Sequence, residues 1–195
     1  MRLTAHRYYA LFGLALSATW PMLAHAETAF TLKGGAVNLW DNTQTLDGAS
    51  RNLDDTSHST FAIGWEHRRR NGAAFGMEYL SYRNDFTPPS SPDTGLARTQ
   101  VLQFVARKYF DRAPVVHPFI GIGIGTSQTT VSIDAPTSYT KYDWNVALQA
   151  NVGVEFRIDP NFAFSAEVKG LYFDVNSTHY DPSSTGLFLG ASVLF

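Results

Sequence analysis

The sequence predicts an all-β fold in which eight antiparallel strands close into an up-and-down barrel that spans a membrane. Three observations predict it. First, residues 142–158 alternate without a break: Tyr142, Trp144, Val146, Leu148, Ala150, Val152, Val154, Phe156 and Ile158 are apolar, and the odd positions between them are polar or small. A period of two makes a strand with two unlike faces, and this run is far longer than the usual strand of about 5–6 residues. Second, the connections between strand-like segments alternate between long and short, the habit of barrels with short turns at one end and long loops at the other. Third, the N-terminus reads as an export signal. Arg2 and Arg7 precede a mostly apolar stretch from Tyr8 to Ala18, and Ala24-His25-Ala26 fits a small-x-small cleavage pattern before Glu27. That apolar stretch is too short for a spanning helix, which needs about 20 apolar residues.

The first strand is expected at about residues 30–40 and is Gly-rich and the least regular. The second, about 60–68, has Phe61, Ile63 and Trp65 opposite Ala62, Gly64, Glu66 and Arg68. The third, about 73–83, sets Phe75, Met77 and Tyr79 against Gly76, Glu78 and Tyr82. The fourth, about 99–110, sets Leu102, Phe104, Ala106 and Phe110 against Gln103, Val105 and Arg107. In the fifth, about 118–133, Ile120, Ile122 and Ile124 alternate with Gly121, Gly123 and Gly125. The sixth is the long run at 142–158. The seventh, about 162–173, sets Phe164, Ala166 and Val168 against Ser165, Glu167 and Lys169. The eighth, about 185–195, puts Leu187, Leu189, Ala191, Val193 and Phe195 opposite Gly186, Gly190 and Ser192.

Long polar connections follow the odd strands, at about 41–59, 84–98, 134–140 and 174–184. Short ones follow the even strands: Arg69-Arg70-Asn71-Gly72, Asp111-Arg112-Ala113-Pro114 and Asp159-Pro160-Asn161. Asn71-Gly72 supplies residues that tolerate positive φ in a hairpin turn. An even strand number puts both chain ends on the periplasmic side.

Two domains of sequence are thus expected: a signal peptide at 1–26 and a barrel at 27–195. Removing 26 of 195 residues leaves 169; the loss of Arg2 and Arg7 lowers 15 basic side chains to 13 against 17 acidic ones, a net charge of −4. That balance excludes a general nucleic-acid binder. There is no Cys, hence neither a disulfide nor a lipid-anchored Cys.

Alternation alone leaves the inward face open, because a lipocalin-like barrel with an apolar cavity and a wet exterior alternates in the same way. The loop rhythm, the final Phe195 and the small residues on the polar face favour the membrane form. An eight-stranded barrel has a narrow interior, and glycines such as Gly64, Gly76, Gly121 and Gly123 leave room there for long charged side chains.

With these residues in view, the chain resembles small outer-membrane β-barrels of the OmpA/OmpX and opacity-protein type over residues 28–195. The stretch His117-Pro118-Phe119-Ile120-Gly121-Ile122-Gly123-Ile124-Gly125 resembles that family's fifth strand. Residues 150–164, with Gly153-Val154-Glu155-Phe156-Arg157, resemble its sixth and seventh. Gly190, Val193 and Phe195 resemble the terminal assembly signal, with Phe188 departing from the polar residue usual there. The resemblance implies residence in the bacterial outer membrane and insertion by the outer-membrane assembly machinery. It also implies a monomeric or weakly associating barrel in contact with lipid and lipopolysaccharide. A structural, envelope-integrity or adhesion role is implied, with a surface ligand reached through the external loops.

Four acids, Glu66, Glu78, Glu155 and Glu167, and four bases, Arg68, Arg107, Arg157 and Lys169, fall on the expected lumen face. Isolated charges in a dry interior are costly and paired ones tolerable, so a salt-bridged plug is expected. The alternative is a minor small-solute, porin-like channel. Small barrels in the same membrane also include lipid A-modifying enzymes. Ser177-Thr178-His179-Tyr180-Asp181 with Ser183 is the local hint of one, but the last strand after His179 lacks the acid that the deacylases place there. No catalytic centre, cofactor or metal site is expected: His58 and His179 fall at one end, His67 and His117 at the other, without ligand spacing. The run His67-Arg68-Arg69-Arg70 sits at the first short turn, where basic side chains can meet lipid phosphates. The external loops carry Asp41, Asp47, Asp54 and Asp55 in the first and Pro88, Pro89, Ser90, Ser91 and Pro92 in the second, and loops carry recognition more often than scaffolds do.

Overall fold

The computed structural model describes residues 27–41, 43–46, 49–52, 57–86, 95–110, 114–133, 139–174 and 181–195. Ten strands follow in order: β1 Glu27–Leu39, β2 Thr43–Leu46, β3 Ala49–Asn52, β4 Ser57–Arg68, β5 Ala73–Phe86, β6 Gly95–Tyr109, β7 Val116–Ile133, β8 Tyr139–Asp159, β9 Phe162–Asp174 and β10 Ser184–Leu194. Eight of them form one closed barrel in the order β1-β10-β9-β8-β7-β6-β5-β4, with β4 returning to β1, all antiparallel. The expected signal peptide and the stretch around His179 lie outside the described residues.

The first long polar connection carries the separate β2–β3 hairpin. Four-residue strands in a polar segment have no apolar face to betray them. β4, β5, β6 and β8 run three or four residues further towards the loops than the alternation predicts, whereas β7 stops at Ile133 as expected. β7 and β8 reach 18 and 21 residues and pair out to Ile133 and Tyr139, well past the roughly 9–11 residues that cross a membrane.

The faces are oriented as a membrane barrel requires and a lipocalin forbids. On β8 the even residues Trp144, Val146, Leu148, Val152, Phe156 and Ile158 point outward and are exposed, while Ala147, Gln149, Asn151 and Glu155 point inward and are buried. The other strands follow suit, with Ile122 67% and Leu189 64% exposed. So continuous an apolar exterior is stable only against lipid. Aromatics mark both rims of it. Phe30 pairs with Trp65 and Phe156 with Phe164 near the chain ends, while Trp40, Trp144 and Tyr172 lie towards the loops.

The short turns are made by local chemistry. In the β4–β5 turn Gly72 N–H donates to the Arg69 carbonyl at 2.9 Å and Arg69 N–H to the Ala73 carbonyl at 2.8 Å. Gly72 has φ +79°, and a Cβ there would also run into the Tyr109 carbonyl. Asn71 contributes its side chain, whose Oδ1 accepts from Ala73 N–H at 3.0 Å. Asp159 does the same for Asn161 N–H in the β8–β9 turn, at 2.7 Å. At the closing seam Thr28 and Phe195 exchange backbone hydrogen bonds at 3.1 and 2.9 Å.

Candidate functional site: a lumen in two layers

The inward-facing side chains divide the interior into two layers. The half nearer Glu27 and Phe195 is ionic. Arg68 lies along Glu155 through two hydrogen bonds of 2.7 Å and reaches Glu66 at 2.5 Å. Arg107 bridges Glu66 at 2.6 Å and Glu78 at 2.9 Å. Glu78 also accepts from Lys33 at 2.7 Å and from Lys169, and Lys33 reaches Glu167 at 2.7 Å. Neutral groups complete the set. The Tyr109 hydroxyl donates to Glu66 at 2.6 Å, and the Asn151 amide to Glu167 at 2.9 Å. Four carboxylates and four cations, each buried, thus alternate in one connected network. Neutrality and close ion pairing are what make such burial tolerable, although Arg107 Nε and Asn151 Oδ1 find no hydrogen-bond partner among the described residues.

Seven of the eight charged residues expected on the lumen face lie in this network. Arg157 is at its edge, half-buried at the mouth, where it grips Glu27 at 2.6 and 3.0 Å and touches Glu155 at 3.3 Å. Sequence reasoning missed Lys33, Glu27 and Tyr109. Lys33 was detectable by parity: Ala29, Thr31, Lys33 and Val37 all point inward. The glycines and Ala36 of β1 blurred that pattern.

Six strands supply the charges; β7 and β10 supply the space. A Cβ on Gly123 would lie 2.7 Å from Gln149 Cγ, and one on Gly190 3.0 Å from Lys33 Cγ and 2.7 Å from Ser165 Oγ. Gly190, expected to belong to an assembly signal, is the seat of the Lys33 stem. Val193 and Phe195 are exposed on the outer face, and the Phe195 ring meets Phe30 edge-on at 6.1 Å.

The half nearer the loops departs from the expected polar lumen. Val37, Leu39, Leu80, Tyr82, Val101, Val131, Leu171, Phe173 and Phe188 pack into one apolar cluster across the interior. Leu80, Leu171 and Phe188 have no solvent-accessible surface. Phe188, the departure from the terminal-strand pattern, sits at the boundary of the layers, with Lys169 Nζ 4.7 Å from its ring centre. The salt-bridged plug thus occupies only half of the barrel; in the other half the apolar cluster packs beside buried polar side chains such as Thr60, Thr99, Ser127 and Thr129. The Tyr82 hydroxyl crowns the apolar layer by donating to the Pro182 carbonyl at 2.6 Å.

Of the residues that hinted at an enzyme, Ser177 and His179 lie outside the described residues. Asp181 accepts from Ser183 N–H at 2.8 Å, and Ser183 Oγ accepts from Phe173 N–H at 3.1 Å, so both serve the return of the chain into β10. No cluster of three or more metal-ligating side chains occurs among the described residues.

The fold is shared with solved outer-membrane proteins of low sequence similarity. OprG from Pseudomonas aeruginosa superposes with a TM-score of 0.60 at 12% identity, covering 88% of this chain and 97% of that one. Ail, the attachment invasion locus protein of Yersinia pestis, solved with the heparin analogue sucrose octasulfate, gives 0.58 at 15% identity, covering 88% and 99%. Neisserial surface protein A gives 0.57 at 19% identity, covering 87% and 99%. No curated protein matches the chain in sequence. The family model for the outer membrane protein beta-barrel domain matches residues 10–195, and the chain therefore belongs to that family of bacterial outer-membrane barrels.

Proposed function

We propose that this protein is a sealed, non-enzymatic barrel with a structural role in the outer membrane, whose specific contacts are made by its loop end. The observation that carries the reading is the filled lumen. An apolar layer backed by a neutral ionic layer leaves the strands occupied with lipid contact outside and mutual pairing inside, and a pore is disfavoured in so narrow a barrel. Recognition then falls to the connections between strands. Ail, the attachment invasion locus protein, has the same fold and was solved with a heparin analogue, so the architecture is compatible with surface contact. The reading includes cleavage of residues 1–26, a monomeric barrel from Glu27 onward, and use of Gly190, Val193 and Phe195 by the assembly machinery. Lipopolysaccharide is the expected neighbour of the loop-side half.

The test is a pair of measurements on the full protein. Lipid A mass profiles with and without it should be identical, and planar-bilayer recordings should show no steady conductance. An acyl-chain change in lipid A that depends on His179 would establish the deacylase-like alternative. A steady conductance would establish the channel.

A further inference from the structure

A cavity of about 270 Å³ opens at the end of the barrel where Glu27 and Phe195 lie. That is near the lower limit for small-molecule pockets, a size for one chemical group. Its walls include Arg68, Arg69, Arg70 and Arg157 against a single carboxylate, Glu27. These cations are of two kinds. Arg68 is held by Glu66 and Glu155, and Arg157 is gripped by Glu27, so the floor is close to neutral. Arg69 and Arg70 are exposed on the rim and form no ion pair among the described residues. Lys108, beside the same turn, donates to the Asn71 carbonyl and meets no carboxylate there. Three cations thus converge on a turn whose backbone is fixed by the hydrogen bonds of Arg69, Gly72 and Ala73. The backbone of the turn therefore needs no ordering on binding, and the cost that remains is that of the arginine side chains.

The rim also touches the lipid boundary. The Arg69 guanidinium lies 5.7 Å from the ring centre of Phe75, and Phe75 points outward and is half exposed. One side chain therefore joins an apolar outer face to a cationic cavity mouth, which suits an amphiphile with an anionic head. Forked N–H donors match the paired oxygens of a phosphate group.

The geometry points to a phosphate-binding site at this mouth, formed by Arg69 and Arg70, that takes the headgroup of an anionic phospholipid while the acyl chains lie along Phe75. A free phosphate ion shares the chemistry, so the experiment has two arms. In the first, the folded protein in nanodiscs of mixed phosphatidylglycerol and phosphatidylethanolamine is examined by native mass spectrometry for retained lipid. In the second, inorganic phosphate is titrated into the micellar protein while the arginine side-chain Nε–H signals are followed by NMR. The parent should retain phosphatidylglycerol preferentially. The R69A/R70A double variant should lose that retention by about tenfold or more, as the loss of charge-assisted hydrogen bonds implies. Arg98→Ala, exposed at the loop end, should retain it. The R69K/R70K variant should fall between, having charge without the fork. Retention without an NMR response assigns the site to lipid. An NMR response confined to Arg69 and Arg70, without lipid preference, keeps the site but gives it to the soluble ion. Equal retention by R69A/R70A, with normal heat-shifted gel mobility, overturns the proposal, as does the absence of any response in both arms. Should the double variant fail to fold, Arg70→Gln, which leaves Arg69 over Phe75, carries the same test.

Discussion

Glu78 holds the most demanding position in the lumen. It is fully buried and accepts from Lys33 at 2.7 Å, from Arg107 at 2.9 Å and from Lys169. At an effective dielectric near 20, a contact of 2.7 Å corresponds to about 6 kcal/mol of Coulomb attraction before desolvation is counted. Glu78→Gln keeps the shape and removes the charge. Lys33 would still have Glu167 at 2.7 Å, Arg107 would still have Glu66 at 2.6 Å, and Lys169 would be left with Glu167 at 3.2 Å. Four buried cations would then face three carboxylates, and the interior would hold one excess positive charge. Breaking a buried pair from one side costs about 3–5 kcal/mol, and that is the expected loss. Lys169→Met, which creates the opposite imbalance, should cost a similar amount. The double variant restores neutrality, so its cost should fall short of the sum by about 0.5–3 kcal/mol. The assay is reversible urea unfolding from lipid vesicles, followed by fluorescence of the outward-facing Trp40, Trp65 and Trp144. Additive single effects, or a Glu78→Gln cost under about 1 kcal/mol, as exposed pairs show, would refute the idea of a dry, mutually dependent network.

Other perturbations probe the remaining features. Val152→Arg puts a charge on the lipid face and should cost about 2–4 kcal/mol, whereas Val152→Leu should be near neutral in the same titration. Removing two side chains of the apolar layer together, in Leu171→Ala with Phe188→Ala, should cost several kcal/mol through cavity formation. It should also produce a bilayer conductance that the parent lacks; continued silence in a folded variant would mean that the ionic layer seals the barrel unaided. Gly72→Ala combines a strained φ with a collision against the Tyr109 carbonyl and should destabilise by at least about 1 kcal/mol. N-terminal sequencing of the protein from the outer membrane should read Glu27 first. Shortening 43–57 or 87–95 should leave heat-shifted gel mobility intact, since loop length affects closure entropy only weakly, while reducing any adhesion the parent shows.

What was legible in the sequence was whatever depends on neighbours along one strand. Period two fixed the strands of β4 to β10 to within a few residues, and Asn71-Gly72 and Asp159-Pro160-Asn161 marked tight turns because their side chains satisfy their own backbone. The charged positions of the lumen were legible for the same reason: Glu66, Glu78, Glu155 and Glu167 share a parity with small residues. Which parity faces inward was not legible from alternation, because an alternating strand is symmetrical with respect to exchange of its two faces; it was legible from the loop rhythm, the final Phe195 and the small residues on the polar face, which pointed to lipid outside. Other features were decided only by closure of the barrel. The β2–β3 hairpin left no trace because its short strands bury no apolar stripe. Partners such as Lys33 with Glu78, or Glu27 with Arg157, are 45 and 130 residues apart and meet only through the stagger of strands around the barrel, a sum of registers that no local pattern encodes. The apolar layer was hidden because inward-facing Leu80, Leu171, Phe173 and Phe188 look, along their own strands, like breaks in the alternation. They become a cluster only when a narrow, curved sheet brings their side chains across the axis, where packing against one another removes more apolar surface from water than any charge there could offset.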